Sequence, residues 1–149
     1  MRITLLLLAF TACAVAQPGT CGGLSSVTET NALVYPPLAK AAFVDGLVIL
    51  LATFKTSGEV EKIVVVEGPP MLVPSATAYV QGLRANEYTG QRTCGMVVEY
   101  RGRHVACGEA LGNDIFARAD AQHVSLEAGL MPICDAAATV KRKRRFLIF

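Results

Sequence analysis

The chain has no tryptophan and only two histidines, His104 and His123. Two imidazoles without H-x-x-x-H spacing, and cysteines without a C-x-x-C pair, make none of the usual zinc ligand sets. A G-x-S-x-G elbow, an H-E-x-x-H helix and a glycine-rich phosphate loop are also missing, which excludes the common hydrolase, metalloprotease and nucleotide-binding signatures. No cofactor is expected. Nor is there an internal repeat, a low-complexity segment or a proline-rich linker. The N-terminal apolar stretch from Ile3 to Ala16 has 14 residues, short of the roughly 20 that a membrane-spanning helix needs.

What remains is 149 residues, 52% of them hydrophobic, enough for one core of ordinary size. Arg2, the apolar run that follows it, and Ala14-Val15-Ala16 before Gln17 read as a signal peptide over residues 1–16. The exported chain would be periplasmic or secreted, with a lipid tether through Cys13 as the less favoured alternative. Cys13 leaves with the signal, and Cys21, Cys94, Cys107 and Cys134 remain for a compartment where disulfides persist. Four cysteines admit three pairings. The preferred one joins Cys107 to Cys134 and Cys21 to Cys94, because the first bridge would brace a C-terminal segment with little periodicity of its own. Charge divides unevenly: residues 17–140 carry 8 basic and 12 acidic groups, a net of −4, while Lys141, Arg142, Lys143, Arg144 and Arg145 form a basic run beside Phe146-Leu147-Ile148-Phe149.

Residues 17–34 are rich in Gly, Ser and Thr and read as a lead-in. Tyr35-Pro36-Pro37 opens a short helix that Gly46 is expected to stop. Leu47 to Phe54 and Val60 to Val66 read as a hairpin around Lys55-Thr56-Ser57-Gly58, closed by Gly68-Pro69-Pro70. On its first strand Val48, Leu50, Ala52 and Phe54 form one face and Leu47, Ile49 and Leu51 the other; one layer of helices can cover only one of them. The spacing of Leu72, Ala76, Tyr79, Val80 and Leu83 predicts a helix from Met71 to near Glu87, weakened by Gly82. Thr93 to Tyr100 is a third strand, ended by a turn at Arg101-Gly102-Arg103, and His123 to Leu126 alternates like a strand. Gly129 to Cys134 reads as loop. The expected fold is α+β in two layers, a small antiparallel sheet with two helices on one face, followed by a disulfide-braced C-terminal extension over 101–149.

Residues 35–100, with Tyr35, Pro36, Ala39 and Gly46 at Y-P-x-x-A-x6-G spacing, then Val48, Leu50 and Phe54, Gly58, Val60, Val64 and Gly68, resemble the C-terminal domain family of TonB. The chain departs from that family at Leu83-Arg84, where a Trp-Arg pair is usual, and in having only 18 residues between Ala16 and Tyr35, a span of at most roughly 60 Å. The resemblance implies a non-catalytic domain that takes an extended segment of an envelope protein, such as an outer-membrane receptor, beside its third strand. In this sequence that strand is Thr93, Cys94, Gly95, Met96, Val97, Val98, Glu99 and Tyr100. An edge strand offers unpaired N–H and C=O groups for such an addition; the alternative is that the C-terminal segment seals this edge, and an exposed edge also leaves a homodimer open.

Other candidates read more plainly. Glu59 and Glu61 share a strand face but flank a solvated turn, and neither His104 nor His123 has a nucleophile nearby in a recognised arrangement, so no catalytic residue is expected. The basic run suits an anionic membrane surface or, as the favoured reading, charges guarding an apolar end docked in the sheet. Nucleic acid is not an expected partner of an exported chain.

Overall fold

The computed structural model describes Cys21, residues 24–88 and 92–130, and Cys134. The expected signal peptide over 1–16, Cys13 and the basic run Lys141–Arg145 lie outside the described residues.

The hairpin forms as its alternation requires. β2 (Gly46–Phe54) and β3 (Val60–Glu67) pair antiparallel, with Leu50 opposite Val65 and Leu51 opposite Val64. Gly58 closes the turn at φ +85°, and its amide donates to the Lys55 carbonyl at 3.0 Å. A Cβ there would also stand 2.2 Å from the Ala85 carbonyl oxygen, so both conformation and space demand glycine. Val48, Leu50, Ala52 and Phe54 are fully buried, whereas Leu47 and Leu51 are exposed.

The other elements precede and follow this hairpin. β1 (Leu24–Glu29) lies in the expected lead-in and pairs antiparallel with β4 (Leu83–Tyr88) as a separate two-stranded ribbon. α1 (Pro37–Ala41) is shorter than the spacing predicts, because Phe43, not Gly46, ends it. Phe43 takes a left-handed φ of 54°, and the Phe43 and Val44 amides donate to Lys40 and Ala39, a Schellman closure with an aromatic residue where glycine is usual. The ring is stacked on His104 at 5.9 Å.

α2 (Val73–Gln81) stops at Gly82, and Leu83 onward is strand, not helix. The reason is the chain that follows β1. Thr30 donates twice to the Gly82 carbonyl, from its amide and its hydroxyl, and the Asn31 side-chain amide donates to Ala78 at 2.8 Å. These bonds satisfy carbonyls that a helix end leaves open, and a Cβ at Gly82 would collide with Asn31 at 2.6 Å.

β5 (Thr93–His104) runs straight through the expected turn at Arg101-Gly102-Arg103. Gly102 is there for close packing: a Cβ would lie 2.4 Å from Leu130. β6 (Ile115–Arg118) and β7 (His123–Leu130) form a second hairpin, and β7 pairs with β5 in parallel, Val97 opposite His123 through His104 opposite Leu130. The five-stranded sheet has the order β3-β2-β5-β7-β6 and is mixed, not antiparallel as expected. Two of its strands come from the C-terminal extension.

The parallel pairing explains the second disulfide. It brings the C-terminal ends of β5 and β7 side by side at one end of the sheet, so Cys107 and Cys134, each a few residues beyond, meet with Cα atoms 5.7 Å apart. Cys21 and Cys94 form the other bridge, at 5.3 Å, which ties the start of β5 to the residues before β1. Both pairings agree with the preferred one.

The core is built on the inward row of each long strand: Val48 to Phe54 on β2, Cys94, Met96, Val98 and Tyr100 on β5, and Val124, Leu126, Ala128 and Leu130 on β7. Tyr35 packs edge-on against Tyr100 at 5.3 Å and donates to the Val44 carbonyl at 2.7 Å. Burial pushes both phenols up to about 12. α2 packs against β2 and β3, and α1 against β7. Each large apolar side chain so buried contributes about 1.5–3 kcal/mol.

Candidate partner interface

The strand expected to offer a free edge is the middle one of five. From Val97 to Tyr100, β5 is paired with β2 on one side and β7 on the other, and the Val97 amide also donates to the Gln122 carbonyl at 2.8 Å. Thr93 to Met96 pairs with β2 alone among the described strands. The alternative weighed from the sequence, a C-terminal segment sealing this edge, is what β7 does.

Its side chains divide by pleat. Cys94, Met96, Val98 and Tyr100 point into the core and are buried. Thr93, Gly95, Val97 and Glu99 point the other way: Thr93 meets the Thr53 hydroxyl at 3.0 Å, and a Cβ at Gly95 would touch nothing within 4 Å. Glu99 accepts from Arg101 at 2.6 Å and has His123 Nε2 3.8 Å away. The Arg101 guanidinium thereby holds the Glu99 carboxyl below the usual carboxylate range.

The open margin lies elsewhere, on β3. Among the described residues this eight-residue strand pairs only with β2. Val64, Val65 and Val66 are 44%, 46% and 56% exposed in succession. Edge strands usually carry a charge, a proline or a short length where they meet solvent. Here Glu61, Lys62 and Glu67 flank the valines but leave the centre bare. Two register shifts interrupt the ladder, one at Val66 between the Leu50–Val65 and Ile49–Glu67 pairs and one at Glu61 between the Thr53–Lys62 and Phe54–Val60 pairs.

The same margin continues onto the sheet's outer face. Val64, Leu51 and Gly95 stand side by side across β3, β2 and β5, and Ile49 and Val97 form the next row. No described element packs over this apolar surface. Leu47, Ile49 and Leu51 were legible as an uncovered face; the open β3 edge was not, since strand order depends on where β7 inserts.

The opposite margin, β6, also pairs on one side only among the described strands and exposes Ile115 and Phe116, but it is closed off at its end by side-chain contacts. β6 has four residues, and Arg118 at its end donates through Nε to Glu29 Oε1 at 3.1 Å and through Nη2 to the Tyr79 hydroxyl. This cluster ties β6 to β1 and α2, and burial pushes the Tyr79 phenol up although the Arg118 charge opposes it. Nearby, Lys40 pairs with Asp114 at 2.7 Å. No sequence motif announces contacts between residues 89 apart; only the fold does.

The remaining candidates do not converge. His104 is exposed against Phe43, His123 sits on the outer face by Glu99, and Glu59 and Glu61 are both exposed. A shallow cleft of about 330 Å³ is lined by Thr30, Glu59, Val60, Gln81, Gly82, Leu83 and Arg84. Thr30 and Gln81 are already committed there, to the Gly82 and Val60 carbonyls. Among the described residues no cluster of three His, Cys, Asp or Glu side chains could hold a metal ion, and no helix is long and apolar enough to cross a membrane.

The class defined by these features is a disulfide-bonded α+β protein built on a mixed five-stranded sheet, with bridges consistent with an extracellular or periplasmic setting. No protein-family model matches the chain, and no curated protein or solved structure does so either.

Proposed function

We propose that the protein is an exported, non-catalytic interaction domain that takes an extended strand of an envelope partner at the β3 edge. It is a two-layer domain of TonB C-terminal type, with both helices on the buried face of the sheet. The observation that carries this reading is the row Val64-Val65-Val66, exposed on a long edge strand that pairs with β2 on one side and with no described strand on the other. Main-chain hydrogen bonds along such an edge supply affinity, and alternate side chains over the adjacent valines supply specificity. The resemblance to TonB supports the class of function but puts the partner beside Thr93–Tyr100, a flank that β7 already fills from Val97 onward. The β3 edge is therefore the receiving strand in this chain.

The test is site-specific photo-crosslinking in the native envelope, with benzoylphenylalanine at Val65 and, in a parallel protein, at Phe116 beside the closed edge. A discrete partner crosslinked from Val65 and not from Phe116, through a peptide segment that mass spectrometry maps as contiguous, supports strand addition at β3. Equal labelling from both positions, or none from Val65, overturns it.

A further inference from the structure

We infer that the outer face of the sheet is the docking site of the protein's own C-terminal tail, with Phe146-Leu147-Ile148-Phe149 lying over Leu47, Leu51, Val64 and Val97. This does not rest on strand addition at β3, since it concerns the face of the sheet and not its edge.

Three observations converge. The first is the face itself. Leu47, Leu51 and Val64 are 48%, 39% and 44% exposed, contiguous through Ile49 and Val97, and beside Leu51 a Cβ at Gly95 would meet nothing within 4 Å, which leaves space for an incoming side chain. Contiguous apolar surface of this kind marks a contact site.

The second is reach. The tail begins at Cys134, which its disulfide holds to Cys107, three residues past the end of β5. From His104 back along β5 to Gly95, the far row of the patch, is about 30 Å at the rise of a strand. The 12 residues from Asp135 to Phe146 span about 40 Å when extended. The apolar end therefore reaches the patch from the end of the sheet where Leu47 lies, opposite Glu99.

The third is charge. The tail places five cations immediately before its apolar end, and residues 17–140 carry a net −4. Glu67 stands at the border of the patch, opposite Ile49, and Glu61 lies further along the same strand. Among the described residues neither has a cation within 4 Å, whereas Glu99 is occupied by Arg101. A basic segment bound to an apolar one, tethered close by, thus meets an apolar surface bordered by the Glu67 carboxylate beside Ile49, with Lys62 opposite Thr53 at its other end. The tether favours this chain over a second copy, because a linked segment acts at a high effective concentration.

The absence of tryptophan gives the experiment. Phe146→Trp introduces a sole indole into the full-length exported protein. Its emission is expected to be blue-shifted relative to a synthetic peptide of residues 135–149 with the same substitution, and unchanged by dilution. Leu51→Lys, and separately Val64→Lys, should return it toward the peptide's spectrum; both positions face solvent, and a cooperative unfolding transition checks that each variant folds. Emission equal to the peptide's overturns the inference. So does a shift that fades on dilution, which indicates a second copy, one that survives both lysine variants, or one that arises only with anionic phosphatidylglycerol vesicles.

Discussion

The two margins of the five-stranded sheet are managed in opposite ways. β6 is short and is tied down by Arg118 to Glu29 and Tyr79, with Cys107–Cys134 closing the chain just beyond its hairpin. Both strands pair on one side only among the described strands, but β3 is twice as long and β-branched through its centre, and no ion pair among the described residues anchors it. Proteins blunt an edge that must stay single and leave bare one that is meant to be joined. The difference therefore locates stability at one margin and interaction at the other, and substitutions at the two should have effects of different kinds.

The largest expected effect is at the closed margin. Replacing both Cys107 and Cys134 by serine frees a loop of sequence separation 27, for which chain-entropy arguments give a loss of about 2–4 kcal/mol. Hydrogen exchange should show where the loss is felt: β6 and β7 amides lose protection first, while those shared by β2 and β3 keep theirs. Uniform loss along all five strands would mean that the margins are not independent.

Arg118→Ala comes next. It leaves the Glu29 carboxylate and the Tyr79 hydroxyl without the donor they share, and bonds of this charged type contribute about 1.5–3 kcal/mol when well buried. Arg118 and Glu29 are only partly buried, so about 1–2 kcal/mol is expected from urea unfolding. A change below about 0.5 kcal/mol would make the cluster a solvated surface pair and would remove the closed margin's distinguishing feature.

How much of this was legible in the sequence follows the range of the interactions. The β2–β3 hairpin, its Gly58 turn and its two-faced alternation are local, and they read directly from residues 47–66. The disulfide pairing was reachable by asking which segment lacked structure of its own. α2 was overrun because Val80 and Leu83 continue the helical spacing, while the capping bonds from Thr30 and Asn31 come from 47 to 52 residues away. Gly102 was mistaken for a turn because a glycine needed for close approach to Leu130 looks, in sequence, like one needed for a bend. The third strand of the hairpin's sheet was found and His123 to Leu126 read as a strand, but that the second seals the first stood only as one of two alternatives. Parallel pairing of β7 leaves no turn signal between partners, so the identity of the free edge, on which the candidate site depends, was the least legible feature.

The smallest effect on stability is expected at the open margin, and it tests the comparison most directly. Val66 is the residue left out of register at the shift between Ile49 and Leu50, and it is 56% exposed. Val66→Lys puts a charge on a surface that already meets water, so unfolding should change by no more than about 0.5 kcal/mol. Its consequence should appear in association instead. A lysine on an edge strand disfavours pairing with another chain, so light scattering from concentrated protein should fall and crosslinking from Val65 should be lost. A cost above about 2 kcal/mol would place Val66 in a packed environment. In that case β3 would be as closed as β6, and the interaction would have to be sought on another surface.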